Sequence, residues 1–135
     1  MREVESANLA IIREYLAAIE NGTVGEVLNR RFAPDCRQIE LPNRLNPNGG
    51  ESDLETIRRR GEQGKKLLRQ QNYTVVNEVA QGNRVAVEAK WTGVLAVPFG
   101  TLEAGATMVA HFAMFFEFED GRIRLQKNYD CFEAW

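Results

Sequence analysis

Histidine is nearly absent from this chain. His111 is the only one among 135 residues, and no Gly-x-Ser-x-Gly accompanies it. A nucleophilic triad needs an imidazole beside a serine or thiol, so that chemistry has a single candidate base. His111 falls between Val109 and Ala113 in an apolar run and reads as a packed, hydrogen-bonded side chain rather than a catalytic one. Cysteine is as sparse: Cys36 and Cys131 lie far apart in sequence, with no Cys-x-x-Cys. Neither a disulfide framework nor a thiolate zinc site is suggested, and neither a metal nor an organic cofactor is expected. No run of about 18 apolar residues could span a bilayer, and no basic region followed by an apolar stretch opens the chain. A soluble, cytoplasmic protein without membrane contact is expected. Excess positive charge is missing too. A formal net charge of −2 and a sequence pI near 5.5 give no general attraction to nucleic acid.

What is present fits one domain over residues 1–135, with 44% hydrophobic and 27% charged residues. From Glu3 to Ile19, Val4, Ile11, Tyr15 and Ile19 recur at helical spacing, and Asn21-Gly22 is a stop. Thr23-Val24-Gly25-Glu26 has the capping-box pattern and predicts a short second helix to about Phe32. Ser52-Asp53-Leu54-Glu55 repeats the device and predicts a third helix to about Arg69, with Leu54, Ile57, Gly61, Gly64 and Leu68 on one stripe. Glycine in a helix costs up to roughly 1 kcal/mol relative to alanine, so something is expected to approach that stripe closely. Arg58, Lys65 and Arg69 read as a solvated face rather than a phosphate loop. Only four prolines occur, and two of them fall in LPNRLNPNGG, which reads as loop.

The second half has period two. Strands are expected over Tyr73–Gln81, Arg84–Val97, Ala106–Glu119 and Arg122–Phe132, joined at Gly82-Asn83, around Pro98-Phe99-Gly100 and at Asp120-Gly121. Helices followed by an antiparallel meander make an α+β fold. Between Met108 and Phe116 both parities are largely apolar, which asks for cover on both sheet faces. A homodimer through Val85, Val87, Trp91, Val109, Ala113 and Phe115 would supply it.

Carboxylates and phenols remain for chemistry. In the alternating stretch FAPDCRQIELP, Cys36, Gln38 and Glu40 share one face opposite Arg37, Ile39 and Leu41. Asp130 occupies a comparable place on the last strand, and Tyr15 lies on the inward stripe of the first helix. A carboxylate in an apolar cavity becomes a stronger base near neutrality, and a phenol donates to a developing oxyanion. A surface glutamate and a tyrosine bonded to backbone are the structural alternatives.

Two capped helices, FAPDCRQIELP, a third helix and a meander ending FEFEDGRIRLQKNYDCFEAW together resemble the cone-shaped nuclear-transport-factor-2-like fold. Within it they are similar to the SnoaL-like and ketosteroid-isomerase-like proteins. FEFEDGRI, from Phe116 to Ile123, is the most specific part. The resemblance implies a curved, mostly antiparallel sheet packed against three helices around a pocket for a small apolar ligand. YLAA at Tyr15 matches the isomerases' oxyanion-donating tyrosine, and Glu40 falls where they keep their base, counting from Phe32-Ala33. Their second oxyanion acid aligns with Met114. Against limonene-epoxide hydrolases Arg84 matches, but Ala86 and Asn128 stand where the two carboxylates belong, with Gln38 and Glu40 in place of the water-holding pair. Asp130 is the counterpart of the polyketide cyclases' acidic residue. The implied site therefore has Glu40, Tyr15 and Asp130 as catalytic groups, with Gln38, Arg84, Phe112, Met114 and Asn128 binding substrate. An acid–base isomerase or cyclase acting on a carbonyl-bearing molecule follows; a non-catalytic binding or dimerisation module is the alternative.

Overall fold

The computed structural model describes residues 2–135. Helix α1 (Glu3–Asn21) opens with the Arg2 N–H donating to Glu5 at 3.0 Å, and buries Leu9, Ile12, Tyr15 and Leu16. It ends at Gly22, whose φ of 72° is a left-handed conformation that glycine adopts without strain. The N–H of Thr23 then returns to the Ala18 carbonyl at 2.8 Å and closes the helix end. Thr23 also precedes α2 (Val24–Arg31), but its side chain caps nothing because its backbone (ψ 24°) is not extended. The expected capping box is thus replaced by the shared turn.

Strand β1 (Phe32–Glu40) follows directly, with no opening turn. The segment read as loop also contains a short strand β2 (Gly50–Ser52), which pairs with β1. That pairing moves the next helix cap by one residue. Ser52 is buried in the ladder opposite Gln38, so the cap of α3 (Leu54–Leu67) is Asp53, which accepts from the Thr56 N–H at 2.9 Å. The chain then enters β3 (Leu68–Gln81) at once, five residues before the expected strand start. The polar run RQQN concealed this edge strand, which bulges twice against β4.

Strands β4 (Arg84–Leu95), β5 (Thr107–Glu119) and β6 (Arg122–Phe132) complete one six-stranded sheet in the order β2-β1-β6-β5-β4-β3. Only the β1–β6 pair is parallel. The helices cover one face, where Val85, Val87, Ala89 and Trp91 pack with Met108, Phe112, Met114 and Phe116. This corrects the expected dimer face. Val85, Val87 and Trp91 pair across from Phe116, Met114 and Ala110, so they belong to the core, and only Val109, Ala113 and Phe115 lie on the outer face. Opposite residues of an antiparallel pair share a face, which leaves no other assignment.

The glycine stripe of α3 divides. A Cβ on Gly61 would sit 3.0 Å from Val24 Cγ1, so this glycine lets α3 approach α2. A Cβ on Gly64 would meet nothing within 4 Å.

Candidate functional site

Register across the sheet assembles the site from residues remote in sequence. Glu40 on β1 pairs with Asn128 on β6, which pairs with Met114 on β5; one row on, Gln38 pairs with Gln126. Their side chains face a cavity of about 230 Å³ inside the cone. Tyr15, Gln38, Glu40, Asn128 and Asp130 line it, with Phe112 and Met114 as apolar floor. Glu40 therefore looks into a cavity rather than at bulk water, because the parity of β1 commits Cys36, Gln38 and Glu40 to the helix-covered face.

Arg84 does not join them. It is exposed at the end of β4, within 3.7 Å of Glu117, so the role implied for it is withdrawn. Outward parity decides this, since Arg84 precedes the inward Val85. His111 also points outward: it is hydrogen-bonded, to Glu133 at 2.8 Å, but exposed rather than packed.

One polar chain runs along the cavity wall. Tyr15 O–H donates to Gln126 Oε1 (3.1 Å), Gln126 Nε2 to Asn128 Oδ1 (2.9 Å), and Asn128 Nδ2 to Asp130 Oδ1 (3.2 Å). Gln38 Nε2 joins it, donating to Gln126 Oε1 at 2.8 Å. Every donor points toward Asp130, and successive bonds of one direction polarise one another. Residues 126, 128 and 130 stand two apart on β6, so strand periodicity alone lines them up. Gln126, buried at the centre of this chain, was missed by the sequence reading; its parity with Asn128 and Asp130 was the available signal.

The two carboxylates differ sharply in surroundings. Glu40 is an ion-pair partner of Arg60 from α3, and also accepts from Asn43 Nδ2 at 2.6 Å. Its expected setting, a carboxylate alone among apolar side chains, is not what the fold provides. Arg60 lies three residues after the buried Ile57 and shares its helix face, a signal the sequence reading left unused when it named only Arg58, Lys65 and Arg69. Among the described residues no cation forms an ion pair with Asp130. Burial first, and the neighbouring Glu40 charge second, push its carboxyl up to about 6, against a smaller lowering by Asn128 and Arg60.

Two phenols reach the cavity. Burial pushes Tyr15 up to about 12, and its O–H is engaged as donor to Gln126 Oε1. Tyr73, from β3, is also driven upward by burial. Its backbone N–H donates to Glu20 at 2.7 Å, and among the described residues its hydroxyl has no hydrogen-bond partner, which leaves it to the cavity. The aromatic wall beside it is Trp91 stacked on Phe112, with centroids 5.6 Å apart and planes 17° from parallel. Gln71 fixes the indole, accepting from Nε1 at 3.0 Å. A Cβ on Gly93 would come within 2.4 Å of the indole ring, so only glycine lets Trp91 lie flat there. The loop from Leu41 to Gly49 closes one end through Asn43 and Leu45, and Arg44 stacks over Trp135 at 4.5 Å.

Residues 12–126 match the SnoaL-like domain family. The chain belongs to that family. Its fold is shared by a Jannaschia sp. CCS1 protein described as a SnoaL-like polyketide cyclase, with a TM-score of 0.79, 18% identity, and coverage of 96% of this chain and 89% of that one. IdmH of Streptomyces antibioticus, described as a polyketide cyclase, gives a TM-score of 0.76 at 21% identity over 91% of both chains. AclR of Streptomyces galilaeus, described as a hydroxylase, gives 0.78 at 18% identity, covering 94% of this chain and 80% of that one. At such identities the likeness concerns the fold, which carries several chemistries. No curated protein sequence matches. No helix among the described residues is long and apolar enough to cross a membrane.

Proposed function

We propose that this SnoaL-like protein is an acid–base enzyme, a cyclase or isomerase, acting on a small carbonyl-bearing molecule held in the cone. The observation carrying this reading is Asp130: a part-buried carboxyl raised to about 6, with no ion pair among the described residues, at the acceptor end of an oriented hydrogen-bond chain. At neutral pH such a group is ionised yet still basic enough to take a proton from a carbon next to a carbonyl. The C–H electron pair moves into the enolate, whose oxygen receives the Tyr73 hydrogen bond while Trp91 and Phe112 hold the apolar framework. Returning the proton at another carbon makes the step an isomerisation. Attack of the enolate carbon on a second carbonyl of the same molecule makes a ring, with the proton passing to the new alkoxide.

Glu40 is then the fixed charge that tunes Asp130, and Tyr15 anchors the far end of the chain. This divides two carboxylates into two roles by environment, the pattern expected of acid–base sites. Replacing Asp130 by asparagine tests it: turnover is expected to fall by about 10² to 10⁴ with binding retained. The pairing of Glu40 with Arg60 and Asn43 favours a second reading, a binding module of the same fold, and probe binding by the wild-type protein without any turnover would select it.

Two copies are proposed to associate through the outer sheet face. Val79, Ala86 and Phe115 form one row there, and Phe115 meets Tyr129 edge-on at 5.9 Å. Phe115 and Val79, 48% and 55% exposed, are more apolar surface than a strand face ordinarily leaves in water.

A further inference from the structure

A second cavity of about 260 Å³ lies beside the first, between the C-terminal turn of α1, α2, α3 and the start of β3. The two share Tyr15, Ile19, Gln38, Arg60, Gln71 and Tyr73, so they adjoin along these side chains as neighbouring lobes. The first lobe carries the carboxylates. In the second, the distinctive walls are Val24, Ile57 and Leu68, with Gly64 at the floor.

Gly64 has no structural need to be glycine. It occupies an ordinary helical conformation, and a side chain there would meet nothing within 4 Å. Gly61 differs, since it serves the contact with Val24. A helix interior loses up to roughly 1 kcal/mol for each glycine. At position 64 the one thing obtained in return is open volume in the lobe. The outer end is bounded by an aliphatic stem: Lys65 Cε lies 3.5 Å from where a Gly22 Cβ would be, while its ammonium turns to Glu62 at 3.2 Å. That end is thus bordered by the aliphatic part of Lys65, while the polar groups of the lobe, Gln38, Arg60 and Gln71, lie on the side it shares with the first.

We infer that the second lobe receives a non-reacting, unbranched apolar arm of the substrate, and that Gly64 sets the length and breadth of arm accepted. This rests on the acid–base reading of the first lobe and extends it: the substrate is bipartite, with an enolisable carbonyl head between Asp130 and Tyr73 and a hydrocarbon arm that passes Tyr15 toward α3. Binding energy from such a remote arm holds the head in place for proton transfer.

The test uses two probes, 1-phenyl-1,3-butanedione and 1-phenyl-1,3-octanedione, which share the head and differ only in arm length. Each methylene removed from water is worth up to about fourfold in affinity. Calorimetric titration of the intact protein is expected to show the octanedione binding at least about 20-fold tighter, a gain smaller than full burial of the added methylenes would give. Gly64→Leu is expected to bring the two probes to similar affinity while leaving the butanedione unchanged; Gly64→Ala keeps most of the gain. Leucine and alanine both favour the helix over glycine, so folding is retained. Equal binding of both probes by the wild-type protein, a gain that survives Gly64→Leu, or equal weakening of both probes would overturn the inference. The same titration with Asp130→Asn separates it from the reading it rests on. A retained arm-length gain with unchanged turnover in that variant would sink the acid–base role alone, and a lost gain beside a normal Asp130 effect would sink the lobe alone.

Discussion

Asn128 donates to Asp130 Oδ1 at 3.2 Å from two residues away on the same strand, and so leaves the other carboxylate oxygen to the cavity. That bond favours the ionised carboxylate, whereas burial and the charge of Glu40 oppose it and prevail. The balance among these groups makes Asp130 a pH-sensitive element of both the site and the fold.

Stability is expected to follow that balance. An unfolded aspartate titrates near about 4, and folding raises Asp130 to about 6. The folded state therefore binds this proton more tightly, and the resulting stabilisation is present in full below about pH 4 and lost as pH rises through about 6. Asp130→Asn should melt higher than the parent at pH 8, by up to roughly 2 kcal/mol, and the two should converge at pH 4. Thermal unfolding at the two pH values measures this; a variant less stable at pH 8 contradicts it.

Glu40 and Arg60 should move the activity profile in opposite directions. The Glu40 charge raises Asp130 and Arg60 lowers it, so Glu40→Gln should shift the acid limb of the rate profile downward and Arg60→Met upward. Each should retain measurable turnover. Complete loss of activity in Glu40→Gln would instead make Glu40 the base.

The two phenols should separate cleanly. Tyr73→Phe is expected to lower turnover by about 10- to 100-fold with little change in stability, because the lost donor acts only on substrate. Tyr15→Phe removes a buried bond to Gln126, whose oxygen still receives Gln38, and should cost about 1 kcal/mol of stability with a smaller kinetic effect. Reversal of that order would return the oxyanion role to Tyr15.

Gly93→Ala places a methyl group where the Trp91 ring lies. The indole must swing away from Phe112 and from Gln71, with a destabilisation of about 1–3 kcal/mol and altered near-ultraviolet circular dichroism. An unchanged spectrum would mean that the ring was not fixed by this contact.

The outer face yields a simple outcome. The wild-type protein should scatter light as a dimer at micromolar concentration, and Phe115→Lys as a monomer, since the added charge stands opposite Lys127 on β6 and is left without a partner in the interface. A monomeric parent would refute the association.

Ile11 and Tyr15 of the α1 stripe, the parity of β1, β5 and β6, and the hairpins at Gly82-Asn83 and Asp120-Gly121 were legible in the sequence, whereas Val4, read on the same stripe, is exposed at the start of the helix. Each depends on local periodicity or on a turn that few residues tolerate. Tyr15, Gln38, Glu40, Phe112, Met114, Asn128 and Asp130 could therefore be assigned to one cavity from pattern and resemblance together. Tertiary structure decided everything that depends on which residue stands opposite another. The β4–β5 register made Val85, Val87 and Trp91 core rather than dimer surface, and the β2–β1 pairing moved the helix cap from Ser52 to Asp53. The placement of α3 over the sheet brought Arg60 to Glu40, a residue 20 positions earlier. That contact left Asp130 as the carboxylate with no ion pair among the described residues, and such an assignment has no local signature, because it arises from charges that meet only when the chain has folded.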